Sequence, residues 1–347
     1  MVSQPSDKRQ REPRAVYHGP VSHPESDSAA SWFSRAAKYL SPGDFLRFNP
    51  YEAVRTLWSF LLSAQKGQMS VSPDGQPDDD PDVRDPEFVA LAMELIRAVG
   101  RHYFRFEVRG AAHLPPSGAA LIVGNHNGGI LPIDSLLTIA AVFDHCGPER
   151  AVHPLAHDIL FHSELLRDHA RRFGALRASH HSAERAFARG RMVLVYPGSD
   201  RDIFRPFHQR GRVELAGRKG FLRLALRNRV PIVPVVTAGT HEQLVVLARG
   251  DAVVRALGLK RRLRIEAFPL VFALPWGLTS GYFPYLPLPA QTTLSFGPPL
   301  SFPDVRPDQA DDPEVLARCY AQVTAAMQSQ LDDLMKDRVP FLGPRRG

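Results

Sequence analysis

The sequence predicts an α/β domain with a mostly parallel central sheet flanked by helices, and three observations lead there. Short apolar runs rich in Val, Ile and Leu, such as Ala119–Val123 and Ile232–Thr237, read as strands buried on both faces. Segments with a helical apolar period stand between such runs, so strand and helix alternate along the chain. Finally, 347 residues, 44% hydrophobic and 23% charged, are enough for one large core with an extension.

Taken in order, residues 1–30 are expected to form a disordered arm, being rich in Ser, Pro, Arg and Asp and lacking the apolar run of a secretory signal. Over 31–66 an amphipathic helical segment is predicted. Asn49 can cap a helix whose first position is Pro50, and Val54, Leu57, Trp58 and Leu61 fall on one face. That face either packs on the main domain or lies in a membrane interface, which Trp32, Phe33 and Lys38 favour. Residues 67–85 read as a linker by composition, and 86–340 as the main domain.

Within that domain, helices are predicted over Pro86–His102, Ile133–Phe143, Ile159–Phe173, Ser182–Arg189 and Gly220–Asn228. A last helix starts at Asp312-Pro313-Glu314, a cap followed by proline, and continues to Lys336. An extended run covers Tyr103–Val108. Strands are expected at Ala119–Val123, Met192–Tyr196, Ile232–Thr237, Leu263–Phe268 and Thr292–Phe296. The uncharged stretch from Ala267 to Pro303 is broken by five prolines before Ala290, so it predicts no membrane-spanning helix. Its part from Phe268 to Leu288 is expected to be partly buried and partly dipped into lipid, with Trp276 and Tyr282 suited to the headgroup zone.

A net charge of +7 implies a basic surface that attracts lipid headgroups, nucleic acid or acidic substrates. No aromatic-interleaved or zinc-finger pattern accompanies Lys260-Arg261-Arg262, so nucleic acid is not expected. Cys146 and Cys319 make no disulfide framework, which leaves a reducing cytoplasm as the default. His153, His157 and His162 lie close together, but nothing supplies the rest of a ligand pattern, so no metal is expected.

Chemistry is concentrated in three turns. Gly124-Asn125-His126 ends a predicted strand, where α/β enzymes place reacting groups, and Asp134 lies eight residues on at a helix start. That carboxylate can hydrogen-bond the imidazole, fix its tautomer and stabilise its protonated form. Next, Tyr196-Pro197-Gly198-Ser199-Asp200-Arg201-Asp202 offers backbone N–H groups and the Arg201 guanidinium to an anion or a developing oxyanion. The third turn, Arg218-Lys219-Gly220, puts two cations at a predicted helix N-terminus, itself a place that favours anions.

In sequence order these blocks resemble the glycerolipid acyltransferase superfamily, typified by bacterial 1-acylglycerol-3-phosphate acyltransferases (PlsC-like), from about Pro86 to Leu300. Asn125-His126 with Asp134 resembles the histidine–aspartate motif. Phe173-Gly174-Ala175-Leu176-Arg177 is similar to the second block, Tyr196–Arg201 to the third, and Val230-Pro231-Ile232-Val233-Pro234-Val235 to the fourth. Phe296-Gly297-Pro298-Pro299-Leu300 resembles the late strand and turn. The spacing from His126 to Asp134 is longer than in the common motif and glycine-rich, similar to a bacterial branch akin to diacylglycerol acyltransferase relatives. Gly198 stands where the family has glutamate in a block that helps bind the acceptor's phosphate, so a neutral or unusual acceptor gains ground.

The resemblance implies transfer of a fatty acyl group from acyl-CoA or acyl carrier protein to a lipid hydroxyl, on a lysophospholipid, diacylglycerol or similar acceptor. His126 would be the base and Asp134 its partner, with no cofactor beyond the thioester co-substrate. Asn125, Gly128, Gly129, Gly198, Ser199, Arg201 and Lys219 would bind substrate, and the oxyanion would lie at Gly128-Gly129 or at Gly198-Ser199. The expected place is peripheral, on the cytoplasmic face of the cell membrane. Two rival readings are an inactive lipid-binding relative and a lipid ester hydrolase. The hydrolase would need a Gly-x-Ser-x-Gly elbow, which the chain lacks.

Overall fold

Along the chain run strands β1 (Glu107–Arg109), β2 (Ala120–Gly124), β3 (Val152–Ala156), β4 (Leu176–Arg177), β5 (Met192–Val195), β6 (Ile232–Ala238), β7 (Val245–Ala248), β8 (Leu270–Ala273), β9 (Gly277–Ser280) and β10 (Thr293–Phe296), closed by the short pair β11 (Arg338–Val339) and β12 (Gly343–Pro344). Helices are α1 (Pro86–His102), α2 (Ile133–Cys146), α3 (Glu164–Phe173), α4 (His180–Ala188), α5 (Ser199–Ile203), α6 (Gly220–Asn228), α7 (Asp251–Ala256) and α8 (Pro313–Met335). This computed structural model describes residues 34–35, 80–126, 128–161, 164–256, 258, 267–283 and 285–345. The expectations for 1–30, 31–66 and most of 67–85 lie outside those residues.

The central sheet has the order β1-β10-β6-β2-β5-β3-β4. From β6 through β4 every pairing is parallel, while β10 runs antiparallel to β6 and carries β1 with it. Every residue of β2 is buried because side chains alternate between two covered faces. Leu121 and Val123 enter a core with α4, α6 and α8, where Ala186, Leu222, Val323 and Met327 meet them. Ala120 and Ile122 point the other way, to Val89 and Met93 of α1 and Leu137 and Ala140 of α2. Each such fully buried aliphatic side chain contributes roughly 1.5–3 kcal/mol, which explains why the strands read so plainly as apolar runs.

Helix ends follow their capping residues. Asp85 accepts from the Phe88 N–H at 3.1 Å and Pro86 opens α1. Asp312 does the same for Glu314 and Val315 before Pro313 of α8. The predicted helix over Ile159–Phe173 is instead a single 3-10 turn at Asp158–Phe161 followed by α3. Strands β3 and β4 escape a sequence reading because β3 carries His153 and Pro154 and β4 has two residues. The strand expected over Leu263–Phe268 falls mostly outside the described residues, and Ala267 and Phe268 are not strand; the chain pairs from Leu270 instead.

That pairing builds a second, antiparallel sheet, β7-β8-β9, beside the C-terminal end of the main one. A C-terminal hook completes the domain. Arg338 sends two bonds of 2.8 and 2.9 Å to the Glu242 carboxylate, with both side chains 1% exposed. Phe341 N–H joins them at 2.6 Å. Such a forked, charge-assisted pair is the kind that repays its desolvation.

His153 is buried in β3 and donates from Nδ1 to the Gly174 carbonyl at 2.9 Å. Burial lowers its pKa to about 4. Because the folded value lies below the unfolded one of about 6.5, its stabilisation is complete above that pH and is lost as pH falls toward 4. Denaturant titrations across that range are expected to lose up to roughly 3 kcal/mol on this account. His153→Gln is expected to flatten that part of the profile; an unchanged slope would contradict the assignment.

Candidate active site

Strands β5, β2 and β6 are neighbours and parallel, so the loops leaving their C-terminal ends meet over one edge of the sheet. Asn125, fully buried after β2, accepts the Thr237 N–H of β6 at 3.0 Å and so fixes the turn. His126 follows, its imidazole side chain 22% exposed. Its Nδ1 lies 2.7 Å from Asp134 Oδ2, and Asp134 is fully buried in the first turn of α2. The other carboxylate oxygen accepts the Ser135 N–H at 2.7 Å. With Nδ1–H donating to the carboxylate, Nε2 is the unprotonated ring nitrogen, the tautomer a base requires.

Tyr196 stacks on the imidazole with ring centroids 4.7 Å apart and planes 29° from parallel. Its hydroxyl meets Thr138 Oγ1 at 3.1 Å, and burial raises its pKa well above the usual range, so it stays a neutral donor or acceptor. A side chain at Gly124 would overlap the Tyr196 ring, so the glycine that ends β2 is what lets the two rings lie together. Tyr196 also borders a cavity of about 240 Å³, with Leu155, Val195, Phe221 and Leu224 as apolar walls and His180 and Arg218 as polar ones.

The loop after β5 reaches back to the histidine through a residue that sequence reasoning passed over. Asp202 accepts the His126 backbone N–H at 2.5 Å and pairs with Arg205, both side chains fully buried. Burial pushes the Asp202 carboxyl upward; Arg205 and His126 pull against that shift. The Arg205 carbonyl in turn accepts a ring N–H of His241, in the loop after β6. Burial holds His241 well below its usual pKa, hence neutral. Gly198 makes this loop possible, since a Cβ there would collide with Asp202 Cβ and the Glu214 backbone carbonyl. Ser199 takes a left-handed φ of +50°. Arg201 lies 3.7 Å from Glu214, partly exposed.

Gly128 and Gly129 have φ of +92° and +73°, conformations open to glycine. A Cβ on Gly129 would stand 2.6 Å from Leu244 and 2.7 Å from the Tyr285 hydroxyl. Tyr285 donates to the Gly128 carbonyl, binding this loop to the second sheet. Lys219 is the N-terminal flanking residue of α6, and Arg218 and Gly220 on either side of it line the cavity. Asn125, His126, Asp134 and the Gly128-Gly129 turn thus form one tight group. Gly198 and Ser199 support it, whereas Arg201 is turned to Glu214 and Lys219 stands apart, between two residues that line the cavity. Sequence reasoning missed Asp202, Tyr196, Arg205 and Tyr285. The first two stood inside a block already singled out, and Asp202 directly before the apolar Ile203-Phe204 was the available signal. Among the described residues no three His, Cys, Asp or Glu side chains are grouped to hold a metal ion, and no helix is long and apolar enough to cross a membrane.

A family model described as Acyltransferase matches residues 105–238. An uncharacterized protein of Mycobacterium tuberculosis is 31% identical over 339 residues, 97% of this chain and 87% of the relative. Another from Mycobacterium leprae is 32% identical over 255 residues, 73% of this chain and 67% of the relative. The human DGAT1/2-independent enzyme synthesizing storage lipids is 27% identical over 233 residues, 65% of this chain and 61% of that protein. Among solved structures, the 1-acyl-sn-glycerophosphate (LPA) acyltransferase PlsC of Thermotoga maritima superposes with a TM-score of 0.43 at 15% identity, over 72% of this chain and 82% of that one.

Restoring the glutamate of the third block is expected to harm this protein. In Gly198→Glu the new Cβ meets a backbone oxygen that cannot swing away, and the overpacking should cost about 1–3 kcal/mol in denaturant unfolding. Gly198→Glu with wild-type stability would show that the loop is not packed as described.

Proposed function

We propose that this chain, which belongs to the acyltransferase family, moves a fatty acyl group from a thioester onto the hydroxyl of a lipid, with His126 as general base. The observation that carries this reading is the His126–Asp134 pair, a buried carboxylate holding a partly exposed imidazole at 2.7 Å. Nε2 takes the acceptor's hydroxyl proton as that oxygen attacks the thioester carbonyl. The tetrahedral intermediate then expels the thiolate, which recovers the proton from the imidazolium. Asp134 orients the ring and balances its charge in between. A thioester is already activated, so direct transfer needs no enzyme-bound acyl group.

Backbone N–H groups of the Gly128-Gly129 turn are the preferred oxyanion donors, since Gly198 is packed against Asp202 and Glu214. The cavity beside Tyr196 suits an acyl chain along its apolar walls, with Arg218 in its lining and Lys219 next in sequence for a headgroup or coenzyme phosphate. For the acceptor, glycine at 198 argues for a neutral glycerolipid such as diacylglycerol. Likeness to an enzyme whose name describes storage-lipid synthesis points the same way. The donor is acyl-CoA or acyl carrier protein, and the enzyme works as a peripheral protein at the cytoplasmic face of the membrane. An intact histidine–aspartate pair disfavours an inactive lipid-binding relative.

Free-thiol release from palmitoyl-CoA by the purified chain in detergent tests this directly, with diacylglycerol, hexadecanol, lysophosphatidate and other lysophospholipids as acceptors. Release is expected to depend on the acceptor. His126→Ala and Asp134→Asn should each lower it by about 10²–10⁴-fold. Acceptor-independent release that survives His126→Ala would replace the transferase with a hydrolase.

A further inference from the structure

Strand β8 alternates sharply. Val271 and Ala273 are buried against Phe204, Leu244 and Tyr285, while Leu270, Phe272 and the following Leu274 are 47%, 44% and 39% exposed. Pairing places Leu278 of β9 directly beside Phe272, and Leu278 is 67% exposed. At the β8–β9 turn and just beyond β9, Trp276 and Phe283 are 58% and 56% exposed. One face of a three-stranded antiparallel sheet is thus aliphatic and aromatic and faces outward, an arrangement that in a soluble protein marks a surface made to be covered.

Charge indicates what covers it. No charged residue occurs from Ala267 to Pro303, so the face itself is uncharged. By sequence the connection from β7 to β8 is strongly basic, with Arg255, Lys260, Arg261, Arg262 and Arg264 against Glu266, while Arg249 at its start is paired with Asp251 and Glu214. Arg255 is exposed on α7 beside the likewise exposed Val253. An uncharged apolar face with an aromatic tip, joined by a connection whose sequence is rich in cations, matches an anionic bilayer, whose headgroups attract the cations while the acyl region receives the apolar side chains.

We infer that the outer face of β7-β8-β9 is the surface by which this protein sits on an anionic lipid bilayer. The inner face of the same sheet holds the Gly128-Gly129 turn through Tyr285, so seating it brings the His126 loop to the lipid. This inference rests on the acyl-transfer reading only for the choice of a lipid occupant.

The test uses the full chain with Trp32→Phe and Trp58→Phe, leaving Trp276 as reporter. Vesicles of phosphatidylcholine alone and of phosphatidylcholine with phosphatidylglycerol are compared, by flotation and by quenching with brominated lipid. Binding to the anionic vesicles with quenching of Trp276 is expected. Phe272→Ser with Leu278→Ser should weaken binding by about tenfold or more, yet leave thermal unfolding and thiol release in detergent unchanged. Unchanged vesicle binding in that variant, or an unquenched Trp276, overturns the assignment. So does a self-association that the variant abolishes, or a face freed for vesicles only when residues 1–79 are removed. Vesicle binding without any acyl transfer would keep the surface and sink the proposed activity; transfer in detergent without vesicle binding would do the reverse.

Discussion

A buried carboxylate that must find partners governs this site. Asp202, fully enclosed, is satisfied by the backbone N–H of His126 and by Arg205, and an enclosed charge is tolerable only when such bonds are made. The loop after β5 therefore cannot settle without the loop after β2. His241 on the Arg205 carbonyl and Thr237 on Asn125 extend the same obligation to β6. Three neighbouring strand ends are locked by polar bonds that lose their value singly, and the imidazole inherits its position from all of them.

Gly198 belongs to this logic. In the sequence it looks like a lost glutamate, a subtraction. In the structure the space is taken by Asp202 and by the Glu214 backbone, so the glycine is what a relocated carboxylate requires. A carboxylate is present near the third block, four residues later, and it accepts from the main chain of His126.

How much could be read beforehand varied with physical cause. α1, α6 and α8 were legible almost to the residue, because Asp85 and Asp312 cap α1 and α8 before proline and the apolar faces of all three repeat. The parallel core strands were legible because burial on both faces leaves a continuous apolar run. β3 and β4 were not: one carries histidine and proline, and the other is too short to show a period. His126 and Asp134 announced themselves through a glycine-rich turn. Asp202 and Tyr285 did not, since their roles depend on contacts 76 and 157 residues away that no local pattern encodes.

The hook formed by Arg338 on Glu242 has a bearing on how the chain comes into being. Glu242 leaves β6 early, yet its partner arrives 96 residues later, and β10, which covers the outer edge of β6, also comes late. While the ribosome is still making that stretch, the nascent protein holds an unpaired strand edge and an acid with Arg210 3.7 Å away but its closer, forked partner still to come. Such contacts over long sequence separations slow closure and prolong exposure to aggregation. Arg338 and Phe341 thus act as a late stitch, and a chain cut short before Arg338 would leave the ribosome with its central sheet flanked but Glu242 without its forked partner.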